Sequence, residues 1–358
     1  MIIESIEYYP YTIPLKSEFK IAIGTSDLYA EGVIVKIKNK EFYGLGEASP
    51  AKMALGETQE STIAALEFFK KHLVGRESSE IENRMEDLDK IIYRNYAAKS
   101  AIDIALHDLL AKEANLSLKK MFGGAGNEMF TSITIGIEDL EKTVNDALEY
   151  KKQGFKILKI KIGLNLKEDI LKLRKVREAV SENVKIRIDG NQGYTLNEAM
   201  VLIKNIEELN IEFIEQPVPY WDIESLKALK EKGLIPIMAD ESVKDEHDLN
   251  ALIKADAIDL LNVKLMKVGG FIKADLLSKI AKASGINVMI GCMSETKLGI
   301  TAGMHFALSQ NNVKYIDLDS HLNHAKNFIK DGVKTENGKN IVNDLPGLGL
   351  DLNKMLKL

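Results

Sequence analysis

Three carboxylates in this sequence each close a short β-rich run. Asp189 ends Val184-Lys-Ile-Arg-Ile-Asp, Glu215 ends Ile211-Glu-Phe-Ile-Glu, and Asp240 ends Ile235-Pro-Ile-Met-Ala-Asp. A single Asp at such a place is usually the N-cap of the next helix. Three in succession, each about one strand–helix unit after the last, instead suggest oxygen ligands for a hard cation. With no His or Cys beside them, that cation is magnesium rather than zinc. Lysines flank the group. Strand alternation puts Lys159 and Lys161 on one face of Phe155-Lys-Ile-Leu-Lys-Ile-Lys-Ile-Gly, with Leu158, Ile160 and Ile162 on the other. A solvated edge strand would give the same pattern. In Ile258-Asp-Leu-Leu-Asn-Val-Lys the same alternation aligns Ile258, Leu260, Asn262 and Lys264. Asp317 and Asp319 stand two apart in Tyr315-Ile-Asp-Leu-Asp and so share a face, unless one of them caps the following helix.

These residues need a frame. From about residue 130, β-rich runs begin near Thr131, Phe155, Val184, Ile211, Ile235, Ala257, Ile286 and Val313, with amphipathic helical stretches between them. That rhythm predicts an α/β chain built as a (β/α)8 barrel, with the active site at the C-terminal ends of the strands. An open doubly wound sheet is the alternative, but no G-x-G-x-x-G follows the first strand. Residues 1–125 read differently. Strand-like runs (Ile2 to Tyr9, Gly32 to Lys38, Phe42 to Glu47) precede helical ones, the clearest from Ala98 to Glu113, as in an α+β domain. The expected division is a capping domain over 1–125, a barrel over 126–325, and a segment over 326–358 that packs back on the cap.

Composition excludes several classes of function. Apolar residues make up 45% of 358 and charged residues 28%, with a net charge of -5. No basic block suggests nucleic acid, and no run approaches the roughly 18 apolar residues that a membrane-spanning helix needs. Cys292 is the single cysteine, so no internal disulfide can form. The start of the sequence carries acid where a secretory segment would carry Lys or Arg and has no long apolar core, and a cytoplasmic protein is expected.

The order Lys-x-Lys (159–161), Asp-Gly-Asn (189–191), Glu-Gln-Pro (215–217), Ala-Asp-Glu-Ser (239–242) and Asn-x-Lys-x-x-Lys-x-Gly-Gly (262–270) resembles the enolase superfamily, muconate-lactonizing subgroup. Within it, Cys292-Met-Ser-Glu-Thr-Lys and the Asp317-x-Asp319 pair resemble dipeptide epimerases. The resemblance implies one Mg2+ per subunit on Asp189, Glu215 and Asp240. It makes Lys161 and Lys264 the two proton-transferring groups, on opposite faces of the substrate α-carbon, with Lys159 at the substrate carboxylate. It implies that Asp317 and Asp319 hold the free ammonium of a dipeptide, with Thr134 and Cys292 as further substrate contacts. Side-chain preference would come from the capping loop Ile21-Ala-Ile-Gly-Thr-Ser, where Gly24 stands in place of the Arg expected of an enzyme dedicated to alanyl-glutamate. The expected reaction is inversion of the second residue of L-Ala-D/L-Xaa dipeptides, alanyl-glutamate among them, by a homo-oligomeric enzyme. N-acyl amino acid racemase, o-succinylbenzoate synthase and muconate cycloisomerase are the alternatives with the same metal and lysines.

Overall fold

The computed structural model describes residues 1–24 and 27–351. Eight parallel strands follow one another in strict chain order: Ile133–Ile135, Ile157–Lys161, Lys185–Asp189, Ile211–Glu215, Ile237–Ala239, Leu260–Val263, Asn287–Gly291 and Val313–Asp317. Neighbours in sequence are neighbours in space, as right-handed strand–helix–strand units require. The first and eighth strands share no ladder. Their seam is closed by a lone parallel bridge between Thr131 and Ile316, by the Ser132 amide on the Ile316 carbonyl at 3.4 Å, and by the Leu318 amide on Thr131 Oγ1 at 3.0 Å. The barrel is therefore a closed sheet with one thinly stitched joint.

Side-chain alternation fills its interior. Phe213, Met238, Leu260 and Met289 form a small buried cluster, with Tyr315 against it. The outward residues of the same strands join the larger core beneath the helices, for example Leu158, Ile160, Ile188 and Ile214. After the eighth strand the regular alternation of strand and helix stops: a short 3-10 turn, Ser320–Leu322, follows. The hairpin Lys334–Glu336/Lys339–Ile341 then pairs with Glu128–Phe130.

The capping domain is an antiparallel sheet, Ser5–Phe19, Asp27–Lys38 and Tyr43–Ala48, backed by helices. The helix Tyr96–Glu113 is buried on nearly every side, because it lies between this sheet and the barrel. Its approach to the sheet depends on Gly44 and Gly46. A Cβ at either would stand 1.9 Å from a helix carbonyl, Ala105 O or Ala101 O. The helix also carries buried carboxylates that reach other elements. Asp103 accepts the Phe271 amide, and Asp108 accepts those of Leu45 (2.8 Å) and Leu348 (2.7 Å). Residues near 347 thus lie against the cap, with the Leu118 amide on the Gly347 carbonyl at 2.9 Å. Residues 352–358, the end of the segment expected to pack there, lie outside the described residues. Among the described residues no helix is long and apolar enough to cross a membrane.

Glu47, on the last capping strand, joins the two halves most directly. Its carboxylate accepts the Tyr11 hydroxyl, the Thr296 amide (2.7 Å) and hydroxyl (2.8 Å), and the Gly299 amide (2.7 Å). The last three belong to the N-terminus of the barrel helix Lys297–Ala307, so the cap supplies part of that helix's N-cap.

Candidate active site

The ends of the second to sixth strands bring the charged residues together. Parallel register sets Lys161 opposite Asp189 and Asp189 opposite Glu215, so two of the carboxylates and a lysine stand side by side at the strand ends. Asp240 follows just past the end of the fifth strand. All three carboxylates are almost fully buried. Lys161 Nζ lies 2.7 Å from Asp189 Oδ2 and 2.9 Å from Asn191 Oδ1, while Lys264 Nζ lies 2.7 Å from Asp240 Oδ2. The lysines of the second and sixth strands thus close the group from opposite sides. Neither is on a solvated edge.

Lys159 is almost fully buried among three carboxylates, yet it lines a cavity above them. Its ammonium lies 3.0 Å from Asp189 Oδ2, 2.8 Å from Glu215 Oε2 and 2.7 Å from Asp317 Oδ2. Burial opposes its charge, but Asp189, Asp317 and Glu215 overcome that and hold its pKa well above the ordinary lysine value. For Asp240, burial is outweighed by Lys264 and Lys267, and the carboxyl stays well below its usual range. Glu215 goes the other way: burial and the neighbouring Asp189 push it up to about 8. Its Oε1 accepts the Asn262 amide at 2.7 Å, whereas buried Oε2 has no hydrogen-bond donor in proper geometry despite the nearby Lys159 charge.

Among the described residues no three His, Cys, Asp or Glu side chains are drawn into metal-ligating geometry; ammonium groups lie between them. The donor set nonetheless fits a hard divalent cation. It is all carboxylate oxygen on adjacent strands, and one of its buried oxygens lacks a donor.

A cavity of about 490 Å³ opens above this group. Lys159, Lys161, Lys264, Thr134, Cys292, Asp317 and Asp319 all line it, so seven of the eleven residues singled out in the sequence meet at one cavity. The two aspartates differ in charge state. For Asp317, burial is outweighed by Lys159 and by the Ser132 hydroxyl (2.6 Å), which hold it at about 2. For Asp319, burial and the Asp317 charge prevail and raise it to about 6. Asp319 starts the 3-10 turn yet caps nothing there. Its Oδ2 accepts the Thr134 amide across the seam at 2.6 Å, and Cys292 Sγ lies 3.8 Å from its Oδ1.

Gly24 is not among the residues lining the cavity. A Cβ at Gly24 would meet Ile21 at 3.2 Å and Met53 at 4.0 Å, and the loop's Thr25 and Ser26 lie outside the described residues. The cap-side wall comes from the end of the first strand, Leu15 and Phe19 with Lys16 to Glu18 between them. This strand pairs with the stretch after the barrel, where Leu15 bridges His324 and the Lys16 amide donates to the Asn323 carbonyl at 2.8 Å. Sequence reasoning also gave no role to Lys267. It is buried, with Nζ 2.7 Å from Asp240 Oδ1 and 3.0 Å from the Asn262 carbonyl. Its place in Asn-x-Lys-x-x-Lys was the available signal.

Comparison with known proteins agrees with this geometry. Residues 6–123 match the mandelate racemase/muconate lactonizing enzyme N-terminal domain, and residues 142–356 match the enolase C-terminal domain-like family. The chain is 38% identical over 338 residues to a hydrophobic dipeptide epimerase of Enterococcus faecalis, covering 94% of this chain and 95% of that one. It is 36% identical over 363 residues to the L-Ala-D/L-Glu epimerase of Bacillus subtilis, covering 100% and 99%. Among solved structures, the Enterococcus faecalis dipeptide epimerase complexed with Mg and L-Leu-L-Tyr superposes with a TM-score of 0.96 at 37% identity, over 98% of this chain and 100% of that one. With both of its domains matched and relatives aligned along nearly its full length, the chain belongs to the mandelate racemase/muconate lactonizing enzyme group of the enolase superfamily.

Proposed function

We propose that the protein is a dipeptide epimerase that inverts the α-carbon of the second residue by moving one proton from one face to the other. The observation that carries this reading is one cavity that holds two lysines on opposite sides and an anionic pair, Asp317 and Asp319, off to one end. The named relatives act on dipeptides, which supports the same substrate class here.

The α-proton beside a carboxylate is very weakly acidic, because its loss leaves a second negative charge on that carboxylate. Bound between Asp189, Glu215 and Asp240, one magnesium ion per chain would supply the positive charge that stabilises this enediolate. The protein's own groups do the rest. Lys161 Nζ and Lys264 Nζ would face the α-carbon from the end of the second strand and from just past the sixth. One accepts the proton while the other donates to the opposite face, and the reverse reaction exchanges their roles. Lys159 keeps a fixed positive charge among the carboxylates, which lowers the repulsion that an incoming anionic substrate meets. Asp317 and Asp319 pair with the free ammonium, and Thr134 orients Asp319 through its amide. An N-acylated amino acid has no cation to offer this pair, so buried carboxylates would face an uncharged amide. That disfavours the acylated and cyclic substrates of related enzymes. Leu15, Phe19 and Met293 give the wall an apolar part, and tolerance of apolar second residues follows.

The test is incubation with Mg2+ and a pooled L-Ala-L-Xaa library in D2O, read by mass spectrometry and chiral separation. One deuterium per molecule should enter with inversion, and EDTA should stop it. A protein shown to bind Mg2+ that exchanges no dipeptide, yet exchanges N-succinyl amino acids, would overturn the reading.

A further inference from the structure

Beneath the cavity lies a buried charge that the reaction itself does not use. Alternation along the third barrel strand puts Lys185, Arg187 and Asp189 on the face toward the barrel axis. Arg187 is only 2% exposed, and its guanidinium sits over the rings of Phe213 (5.2 Å) and Tyr315 (5.1 Å). A buried guanidinium is costly unless its donors are met. Here Nε donates to Glu212 Oε2 at 2.7 Å, and Nη1 donates to the Ile316 carbonyl at 3.0 Å. The same Nη1 lies 3.4 Å from Ser132 Oγ, and the Ser132 hydroxyl donates to Asp317 Oδ1 at 2.6 Å. A hydroxyl that accepts from a cation while donating to a carboxylate is polarised in the direction that strengthens the second bond.

The chain of contacts crosses the barrel's seam. Arg187 holds the Ile316 carbonyl on the eighth strand, Ser132 immediately precedes the first strand, and Asp317 follows Ile316. Asp317 Oδ1 is thus fixed by Ser132, and its Oδ2 by Lys159 at 2.7 Å. Without the Ser132 hydroxyl, Oδ1 would keep only the longer Thr134 Oγ1 contact at 3.5 Å, so Asp317 could rotate about its side chain toward Lys159 and would face the substrate ammonium differently.

We propose that Ser132, backed by Arg187, is a positioning residue that fixes the Asp317 carboxylate for the ammonium of the substrate and so sets affinity for the first residue of the dipeptide. This rests on the reading of Asp317 and Asp319 as the ammonium site. The relay touches neither lysine of the proton transfer, so its loss acts on binding and leaves the chemical step alone.

The experiment compares wild type, Ser132→Ala, Ser132→Thr and Arg187→Lys with one good dipeptide at saturating Mg2+, recording KM, kcat and melting temperature. Ser132→Ala should raise KM about ten- to hundredfold, the range for loss of a hydrogen bond to a charged group, with kcat within about twofold. Ser132→Thr keeps a hydroxyl and should restore KM to within a few-fold of wild type. Arg187→Lys keeps the charge but not the planar fork, and should raise KM by a smaller factor. Unchanged KM in Ser132→Ala overturns the proposal. So does a fall in kcat that follows the melting temperature and is not rescued by threonine, because that is a purely structural role. Should Ser132→Ala not fold, unchanged KM in Arg187→Lys overturns it instead. A wild-type protein inactive on every dipeptide, by contrast, refutes the function and not the relay.

Discussion

On the roles proposed for Lys161 and Lys264, removing either amine separates proton removal from inversion. In Lys264→Ala, the remaining Lys161 still faces one side of the α-carbon. It should exchange the α-proton of one isomer with solvent while returning it to the same face. Lys161→Ala should do the same for the other isomer. A positioned general acid or base contributes about 10²- to 10⁴-fold, so inversion by either variant should fall by at least that factor, roughly 3 to 5 kcal/mol of barrel-site stabilisation of the transition state. The fold should survive both changes. Asp240 keeps Lys267 at 2.7 Å when Lys264 is lost, and Asp189 keeps Lys159 at 3.0 Å when Lys161 is lost, so neither buried carboxylate is left without a cation. The assay follows each purified isomer of one dipeptide in D2O, with deuterium read by NMR and inversion by chiral chromatography. Inversion near the wild-type rate in either variant would refute the assignment. Equal loss of exchange from both isomers in both variants would also refute it, because the lysines would then not serve separate faces.

Three further predictions concern charge and packing. Asp319 has a folded pKa of about 6, raised by burial and Asp317 above the ordinary aspartate value, so folding favours its protonated form. The stability it contributes is full below the unfolded value near 4 and is lost as pH rises through about 6; Asp319→Asn should therefore melt higher than wild type at pH 8 and gain nothing at pH 4, and equal shifts at both pH values would contradict this. The same state governs binding: KM for a dipeptide should rise as pH falls below about 6, and a flat KM from pH 5 to 8 would count against it. At the cap, Gly46→Ala sets a Cβ 1.9 Å from the Ala101 carbonyl, backbone that cannot move aside cheaply, and should cost more than the roughly 1 to 3 kcal/mol of ordinary overpacking, seen as a large drop in melting temperature.

Much of this arrangement was legible from alternation and spacing. A parallel barrel gathers its strand ends at one mouth, so Lys159, Lys161, Asp189, Glu215, Asp240 and Lys264 could be read from the ends of their runs. Asp317 and Asp319 were legible for the same reason, at the close of the last run. The cap-side wall was not. Leu15 and Phe19 sit in a strand whose pattern says which residues alternate, and nothing local says that its far end crosses the barrel mouth to meet His324. The loop at Gly24 carried the expectation because it differs in residue type; Gly24 itself is half-buried, and Thr25 and Ser26 lie outside the described residues. Arg187 shares a face with Asp189 and could have been found by the rule that found the lysines. Its link to Ser132 could not, because 55 residues separate them and the contact exists only once the barrel closes.

Glu47 gives the two halves of the chain an interdependence that family boundaries conceal. The first turn of the helix Lys297–Ala307 is terminated by a side chain 249 residues upstream of Thr296, on a different sheet. The loop from Cys292 to Ser294, part of the cavity wall, leads directly into that turn. A barrel transplanted beneath another relative's cap would inherit its buried carboxylates and lysines intact. It would still begin that helix with bare amides unless the incoming cap brought its own glutamate to the same spot. Exchange of specificity between relatives by swapping caps is therefore constrained at a residue outside the cavity wall.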